Sequence, residues 1–266
     1  MRQITATVID NKPILEGIRH RSGRRILSVH LIRLSCPQIE RAQPGQFVMV
    51  SCGEESVLPR PFSIHQVNGD SIDLYFNVWA DGKGTQWLSQ RQLGDKLDLL
   101  GPLGKGFSIS LNSKKLLLVA GGIGIAPIRF LADEAVKLGL SVTLLCGTPT
   151  SHRYPPERLP PEIELVTVTE DGSIGKEGLV TDLLPDFTSW ADQVFACGPM
   201  SMYQTIAAQK LQKTKPVQVS LEVRMGCGLG VCYGCTIKTR NGLRQVCKDG
   251  PVFDLDDILW EELADI

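Results

Sequence analysis

The sequence predicts a chain of three parts: an N-terminal β-barrel, a central parallel α/β domain and a small C-terminal metal-binding domain. Residues 1–110 contain short β-branched and aromatic runs separated by Gly and Pro, and residues 111–212 alternate apolar runs with helical stretches. Residues 213–266 hold four closely spaced cysteines. This last part is too short to bury a sizeable core alone, so we expect a metal centre to order it.

Four runs of the first part are predicted to be barrel strands. They are Arg25–Ile32, Gln46–Cys52, Pro61–Val67 and Ser71–Trp79. Several of them alternate apolar with polar residues, as half-buried strands do. Asn68-Gly69 separates the last two and is typical of a hairpin turn, and Thr85–Gln90 is predicted to be a helix. Short strands joined by such turns favour a small barrel.

The second part alternates predicted strands with predicted helices. The strands are Leu116–Ala120, Val142–Cys146, Ile163–Thr169 and Gln193–Cys197. The helices are Ile128–Leu138, Gly178–Leu184 and Met200–Leu211. Strand–helix alternation predicts an open parallel sheet, and Thr214–Pro216 is the expected exit linker.

Composition excludes several classes of protein. The 266 residues carry 28 Lys and Arg against 29 Asp and Glu, and a nucleic-acid binder usually has a basic excess. The chain is 42% apolar and 21% charged, which is globular rather than disordered. No apolar run approaches the roughly 18 residues of a membrane span, and the N-terminus lacks the apolar stretch of a signal peptide. We therefore expect a cytoplasmic location.

The cysteine cluster is the strongest signal for function. It reads Cys227-x4-Cys232-x2-Cys235-x11-Cys247. Plant-type [2Fe–2S] proteins use Cys-x4-Cys-x2-Cys followed by a distant Cys, whereas zinc sites usually pair two CxxC or Cys/His units. Glycines alternate with the cysteines and would free backbone amides to face sulfur. The spacing predicts a [2Fe–2S] cluster; a zinc ribbon-like site or unrelated buried cysteines are the alternatives.

Two further motifs stand where predicted strands end and helices begin. Gly121-Gly122-Ile123-Gly124 is followed by Ala126-Pro127, and glycine there lets a backbone approach a pyrophosphate. A tight turn without a ligand is the alternative. Cys197-Gly198-Pro199-Met200 lies at an edge where ligands bind open sheets, although small cysteines are commonly just buried.

A third motif pairs Arg60-Pro61-Phe62-Ser63 with Gly84-Thr85 at a predicted helix start. An arginine and a helix N-terminus can both contact phosphate. Taken alone, a surface arginine and an ordinary helix cap explain these residues as well.

In order and spacing, these motifs resemble the ferredoxin-NADP⁺ reductase superfamily over essentially the whole chain. The C-terminal segments Met225–Cys235 and Val246–Phe253 are similar to the electron-transfer subunits of NAD-linked (type B) dihydroorotate dehydrogenases. The resemblance implies that the barrel binds FAD over residues 1–110. It also implies that residues 111–212 bind the nicotinamide nucleotide and that residues 213–266 hold the cluster.

The resemblance also implies the site residues. Flavin contacts fall on Arg60, Pro61, Phe62, Ser63, Leu74, Tyr75, Phe76, Asn77, Gly84 and Thr85. Contacts to NAD fall on Gly122, Gly124, Ala126, Pro127, Thr148, Asp171, Cys197, Gly198, Pro199 and Met200. Cluster ligands fall on Cys227, Cys232, Cys235 and Cys247. No catalytic acid, base or nucleophile is assigned.

The implied activity belongs to pyrimidine biosynthesis. Dihydroorotate would be oxidised at FMN in a separate catalytic subunit, and electrons would pass through the cluster and FAD to NAD⁺. The resemblance implies a heterotetramer of two copies of each subunit. A cluster that serves a second protein must lie near the surface, so the apolar residues around its ligands, Leu229, Val231 and Tyr233, are the predicted docking face. Packing of these side chains over the cluster within the chain is the alternative. The alternatives are a hydrogenase- or ferredoxin-linked NAD(P) reductase subunit and a non-enzymatic metal-binding or redox-sensing protein.

The choice of nicotinamide cofactor has one sequence indication. Ser151 and Arg153 follow the second strand of the α/β part, where the 2′-phosphate of NADP would lie, although solvated loop residues also fit there. We expect NADH to be preferred over NADPH.

Overall fold

Six antiparallel strands close into a barrel at the N-terminal end of the computed structural model. The structure describes residues 2–19, 23, 25–39, 42–151, 159–211 and 214–263. The barrel strands and their one α-helix, in chain order, are β1 (Arg2–Arg19), β2 (Arg25–Ser35), β3 (Phe47–Val50), β4 (Arg60–Asn68), β5 (Ser71–Trp79), α1 (Lys83–Ser89) and β6 (Lys96–Leu103). Around the barrel the order is β1-β2-β5-β4-β3-β6.

Alternating burial along the strands explains the barrel. Along β2 buried apolar residues such as Ile32 and Leu34 alternate with partly exposed ones, so one face of the strand enters the core. The predicted hairpin is present: Asn68 pairs with Ser71, and two residues form the turn between β4 and β5. The predicted barrel is therefore confirmed.

A seven-stranded sheet forms the second half of the molecule. Its elements, in chain order, are β7 (Lys115–Gly121), α2 (Ile125–Lys137), β8 (Ser141–Thr148), β9 (Ile163–Thr169), β10 (Lys176–Glu177), α3 (Leu184–Thr188), β11 (Gln193–Cys197), α4 (Met200–Ala208) and β12 (Val217–Ser220). With the C-terminal strand β15 (Val252–Asp254) at one edge, the sheet order is β10-β9-β8-β7-β11-β12-β15, and the pairs from β10 to β12 are parallel. The carboxyl ends of these strands therefore meet at one edge.

The C-terminal segment contains residues 226–235, called the cysteine loop below, and also adds a strand to the sheet. It contains the hairpin β13 (Thr236–Thr239) and β14 (Gly242–Gln245), then α5 (Val246–Asp249) and β15 (Val252–Asp254). The last strand pairs antiparallel with β12. One apolar core cluster joins Met49 and Leu103 of the barrel to Val119 of the sheet and Cys247 of α5. The C-terminal segment is therefore packed against both larger units.

The structure differs from the sequence prediction mainly at elements without a clear pattern. Strand β1 was not predicted, because Asn11 and Pro13 interrupt its apolar pattern; the structure accommodates them between register shifts at Val8/Asp10 and Pro13/Leu15. Strand β6 and the short C-terminal strands were also missed. The stretch predicted as a helix at Gly178–Leu184 is a 3₁₀ turn over Val180–Leu183 followed by α3. Within the described residues, no helix is long and apolar enough to cross a membrane.

Candidate functional site

A cavity of about 1410 Å³ lies between the barrel, the carboxyl edge of the sheet and the segment after β12. Pockets for one small molecule usually measure roughly 300–1,000 Å³, so this one has room for two ligands side by side. All three units contribute to its wall, and the segment that follows β12 leads from this wall toward the clustered cysteines.

Strand β5 presents alternate side chains to this cavity. Tyr75 and Asn77 line it, whereas Leu74 and Phe76 point into the barrel core and are almost fully buried. This is the two-residue period of a strand. The odd-numbered residues of β5 therefore face the cavity. The ring of Tyr75 also stacks on the ring of His65, with 5.2 Å between the ring centroids.

The fold brings Arg60 and the start of α1 together. A Cβ placed on Gly84 would lie 3.2 Å from Cγ of Arg60, so only the absence of a side chain lets α1 approach the arginine this closely. Arg60 Nη1 donates to the Leu58 carbonyl at 2.7 Å, and its side chain lines the cavity. The Thr85 hydroxyl donates to the Gly82 carbonyl at 3.1 Å, so this hydroxyl stabilises the turn before the helix.

One hydroxyl in the cavity wall has no hydrogen-bond partner within the part of the chain that the structure describes. Among the described residues, Ser56 Oγ is the one buried side-chain nitrogen or oxygen without a hydrogen bond. Such an atom costs about 1–3 kcal/mol unless something satisfies it. Ser56 lines the cavity beside Arg60, so a polar cofactor there would complete its hydrogen bonding. No sequence motif around Ser56 predicted that this residue would belong to the site.

The glycine turn after β7 has two different roles. Gly122 lines the cavity with a left-handed backbone (φ +56°), and a Cβ there would have no neighbour within 4 Å. Gly124 is buried, and its Cβ would lie 2.0 Å from the Cys197 carbonyl oxygen. Gly122 thus leaves the backbone open to a ligand, whereas Gly124 allows close packing of the turn against β11.

Hydrogen bonds of a buried tyrosine hold the carboxyl end of β11 in place. The buried Tyr203 hydroxyl donates to the Ser220 carbonyl at 2.5 Å and accepts from the Gly198 amide at 2.9 Å. Burial raises the pKa of the Cys197 thiol to about 12, and its sulfur lies 3.4 Å from the same Ser220 carbonyl. Cys197 is therefore a structural thiol, and Gly198 is held at the cavity wall.

A short run of chain connects the cavity to the cysteine loop. Glu222, Val223, Arg224 and Met225 line the cavity, and Cys227 follows two residues later. Two residues span at most about 7 Å. Glu222 is accessible from the cavity, and desolvation there raises the pKa of its carboxyl group. A ligand in this part of the cavity and a group held by the cysteines would be near neighbours.

The four clustered cysteines form two pairs. The Cys232 side chain interacts with that of Cys227, and the Cys247 amide donates to Cys235 Sγ at 3.4 Å. Cys235 and Cys247 are buried, Cys227 is half-buried and Cys232 is exposed. Among the described residues, no three His, Cys, Asp or Glu side chains form a group that could hold a metal ion. Two pairs match a binuclear cluster, in which each iron takes two thiolates.

Backbone amides and glycines fit this loop to a cluster. The Leu229 amide donates to Cys227 Sγ at 3.3 Å and the Gly230 amide to Cys247 Sγ at 3.1 Å. Such donors stabilise thiolates and bridging sulfides. A Cβ on Gly226 would lie 3.4 Å from Cys232 Sγ, so the absence of a side chain at Gly226 leaves space beside that sulfur.

The pKa values of the two thiols differ because their surroundings differ. Burial and the adjacent thiol of Cys235 raise the pKa of Cys247 to about 12. Burial also raises the pKa of Cys227, but its amide donors outweigh this and bring the value to about 6. Metal ligation needs thiolates, so a bound iron would favour deprotonation of the buried Cys247 as well as of Cys227.

Comparison with known proteins identifies the family. Residues 222–259 match the model of the iron-sulfur cluster binding domain of dihydroorotate dehydrogenase B. The chain is 36% identical to the dihydroorotate dehydrogenase B (NAD(+)) electron transfer subunit of Desulforamulus reducens, over 89% of this chain and 97% of that protein. The subunit of the same name from Geobacillus sp. (strain WCH70) is 36% identical over 97% of this chain and 99% of its own. The chain belongs to the family of dihydroorotate dehydrogenase B electron transfer subunits.

Solved structures support the same fold for this family member. An NADH-dependent reduced ferredoxin-NADP oxidoreductase superimposes with a TM-score of 0.83 at 27% identity, covering 97% of this chain and 91% of that one. A ferredoxin NADP⁺ reductase from Neisseria gonorrhoeae, solved with bound FAD and NADP, gives 0.61 at 16% identity, covering 81% and 93%. The predicted fold class and the predicted resemblance are both confirmed.

The residues predicted to contact cofactors divide into two groups. Those lining the cavity are Arg60, Pro61, Tyr75, Asn77, Gly84, Thr85, Gly122, Thr148, Gly198, Pro199 and Met200. Those not lining it are Phe62, Ser63, Leu74, Phe76, Gly124, Ala126, Pro127, Asp171 and Cys197. Several of the second group are buried because they occupy the inner face of a strand or the interior of a helix. Arg153 lies outside the described residues.

Proposed function

We propose that this chain transfers electrons between a dihydroorotate-oxidising partner subunit and NAD⁺, with FAD and a [2Fe–2S] cluster as its cofactors. The carrying observation is the run Glu222–Cys227, which joins the cavity wall directly to the cysteine loop. The relatives named above are electron transfer subunits of an NAD-linked dehydrogenase. A bound flavin supplies the exchange between a two-electron hydride carrier and a one-electron cluster.

The chain's own residues supply the binding and the orientation. Arg60, Ser56 and the cavity face of β5 would hold the flavin, and the turn at Gly122 would receive the pyrophosphate of the nicotinamide nucleotide. The four clustered cysteines would be the cluster ligands. We propose 1–110, 111–212 and 213–266 as the three functional units, with β12 and β15 tying the last unit to the sheet.

The test of this function uses the purified chain and an FMN-containing catalytic subunit from the same source. Alone, the chain should oxidise NADH with artificial acceptors and leave dihydroorotate unchanged. With the partner it should co-elute, as two copies of each subunit, and reduce NAD⁺ at the expense of dihydroorotate. Failure to co-elute at micromolar concentrations, with no coupled activity, contradicts the proposal.

A second candidate function is favoured by one observation. The structure with a TM-score of 0.83 is that of an NADH-dependent reduced ferredoxin-NADP oxidoreductase, and it covers almost the whole chain. On this alternative, reduced ferredoxin would replace the dihydroorotate-oxidising partner. Reduction of NAD⁺ by reduced ferredoxin, together with no complex with the catalytic subunit, would favour it.

Arg60 gives the first prediction. Its guanidinium lines the cavity next to Gly84, where it would make a charge-assisted contact to a flavin phosphate worth roughly 1.5–3 kcal/mol. Arg60→Ala should therefore weaken FAD binding about ten- to a hundredfold, measured by flavin retained after gel filtration and dilution. Arg244→Ala, which removes an exposed arginine of β14, is the control. Full flavin retention in Arg60→Ala would remove Arg60 from the site.

The exposed side of the cysteine loop gives the second prediction. Val231 and Tyr233 flank the exposed Cys232 and are 69% and 68% exposed, whereas Leu229 packs against the core. Tyr233 has a left-handed backbone (φ +59°), which is unusual for a residue other than glycine. A Cβ on Gly226 would touch both Cys232 and, at 3.9 Å, the exposed Leu58 of the barrel. We propose this apolar face as the docking surface.

Tyr233→Glu should weaken the complex with the catalytic subunit at least about thirtyfold, the scale of a central aromatic at an interface. The iron content and the visible spectrum of the isolated variant should stay unchanged. Leu111→Glu is the matched control, because Leu111 is fully exposed in the turn that precedes β7. Affinity for the partner is measured by calorimetry. Equal affinity of Tyr233→Glu and wild type would show that Tyr233 lies outside the interface.

A further inference from the structure

One buried histidine of the barrel contacts the α/β half beside the cavity. His65 belongs to β4 and is 2% exposed. Its Nδ1 lies 3.0 Å from the carbonyl oxygen of Ala126 in the first turn of α2. A carbonyl oxygen only accepts hydrogen bonds, so Nδ1 carries the hydrogen and donates it. His65 therefore connects the barrel to the helix that follows the glycine turn.

A bulge in β4 gives His65 this orientation. The register between β4 and β5 shifts between Ile64 and Gln66, so His65 is the extra residue of a β-bulge. Ile64 packs in the barrel core, and the next two residues both form hydrogen bonds to α2. In a regular strand one of these two side chains would point away from the helix, because side chains alternate between the two faces.

A second polar contact holds the same two elements together. Gln66 Nε2 donates to Asp133 Oδ2 at 2.6 Å, and Arg129 Nε donates to Asp133 Oδ1 at 2.9 Å. The Arg129 and Asp133 side chains are 7% and 14% exposed, so solvent ions screen this ion pair little. Of the two contacts between β4 and α2, the one at Ala126 lies closer along the chain to the glycine turn.

The ring of His65 also contacts a residue that lines the cavity. It stacks on Tyr75 of β5, with 24° between the two ring planes. Tyr75 lines the cavity on the side where we place the flavin, and Gly122 and Ile123 line it on the side of the nicotinamide nucleotide. Burial lowers the pKa of His65 to about 3 despite the hydrogen bond to Ala126, so the ring is neutral near pH 7.

We propose that His65 is a positioning residue for hydride transfer between the two bound cofactors. It holds the ring of Tyr75 on the flavin side and the start of α2, four residues after Gly122, on the nicotinamide side. His65 does not itself line the cavity, so it acts through these two neighbours. Reacting atoms must lie about 3–3.5 Å apart, and a displacement of about 1 Å can cost a hundredfold in rate. This inference rests on the proposed function.

The experiment follows the transfer of one hydride from NADH to the oxidised flavin, which leaves NAD⁺ and reduced flavin. Anaerobic stopped flow separates the limiting rate constant from the dissociation constant for NADH. His65→Phe keeps a stacking ring and loses the donor, so the limiting rate constant should fall at least about tenfold. The dissociation constant for NADH and the FAD content should stay within about threefold of wild type.

Two further variants separate the donor from the ring. His65→Leu also lacks the donor and should show the same loss of rate, and it replaces His65→Phe if that variant does not fold. His65→Asn has an amide nitrogen that can take the place of Nδ1 as donor. Its limiting rate constant should therefore stay within about threefold of wild type.

His30→Phe is the matched control, because His30 is another buried histidine of the barrel. Its Nδ1 lies 3.2 Å from Asn11 Oδ1, and its ring centroid lies 5.9 Å from that of Phe76, which are both contacts within the barrel. This variant should keep the wild-type rate constant. Hydrogen exchange of the amides of residues 122–126 gives a readout independent of activity. It should be at least about tenfold faster in His65→Phe and unchanged in His30→Phe and His65→Asn.

Two results would overturn the role of His65 alone. One is a wild-type limiting rate constant in both His65→Phe and His65→Leu. The other is a parallel loss of FAD, NADH affinity and rate in all three variants at this position, which would show a merely structural role. If NADH does not reduce the flavin of wild type, the proposed function itself is contradicted.

Discussion

Cys232→Ser should abolish the iron–sulfur cluster. We expect about two irons and two acid-labile sulfides per chain in wild type and close to none in the variant. Cys232 is exposed, and the absence of a side chain at Gly226 leaves space beside its sulfur. Replacing the Cys232 thiol with a serine hydroxyl should therefore leave the packing of the chain undisturbed. The loss would therefore report on ligation rather than on folding.

Iron and sulfide analysis of protein purified anaerobically measures this effect. Cys36→Ser is the control, because Cys36 is a free cysteine buried in the barrel core. Its cluster content per folded chain should equal that of wild type. Stoichiometric zinc without sulfide in wild type would contradict the iron–sulfur assignment and support a zinc site.

Gly122→Val should block reduction by NADH, lowering the rate constant or the affinity at least about a hundredfold, since displacement of a ligand by about 1 Å can cost that much. Gly122 has φ +56° and no neighbour within 4 Å of a Cβ, so valine would project into the space where we propose that the dinucleotide lies. Flavin and cluster content should be retained. Stopped-flow reduction under anaerobic conditions measures the effect.

Gly69→Val separates the ligand effect from backbone strain. Gly69 has φ +57° and an equally empty neighbourhood, but it lies in the turn between β4 and β5. Both variants carry the same cost of a β-branched residue in a left-handed conformation. Only Gly122→Val should lose NADH reduction; equal loss in both would contradict the proposed role of Gly122. Gly124→Val should instead destabilise the α/β half, because its Cβ would clash with the Cys197 carbonyl.

Periodicity predicted much of the fold, and the missing parts have physical reasons. The predicted strands Ser71–Trp79, Ile163–Thr169 and Gln193–Cys197 have the observed bounds, because apolar runs between turn residues define a buried strand. Strand β1 was missed because its pattern contains a proline and bulges. Strand β12 has four residues and β15 has three, which is too short for a recognisable sequence pattern. These strands form because they pair with neighbouring strands of the sheet.

The sequence predicted those parts of the candidate site that depend on local motifs, such as glycines needed for a particular backbone conformation. It did not predict the parts that depend on contacts between residues far apart in the chain. The cysteine spacing predicted an iron–sulfur cluster in the C-terminal segment, and the glycine turn was found from its position after β7. Ser56 gave no signal, because its missing hydrogen bond exists only in three dimensions.

The visible spectrum of the anaerobically purified chain, recorded with excess dihydroorotate before and after adding the catalytic subunit, tests the central proposal most directly. We predict flavin and [2Fe–2S] absorption that stays unchanged with dihydroorotate alone and bleaches when the FMN-containing subunit is added. Subsequent NAD⁺ should restore the absorption. A colourless protein, bleaching without the partner, or no bleaching with it would contradict the account.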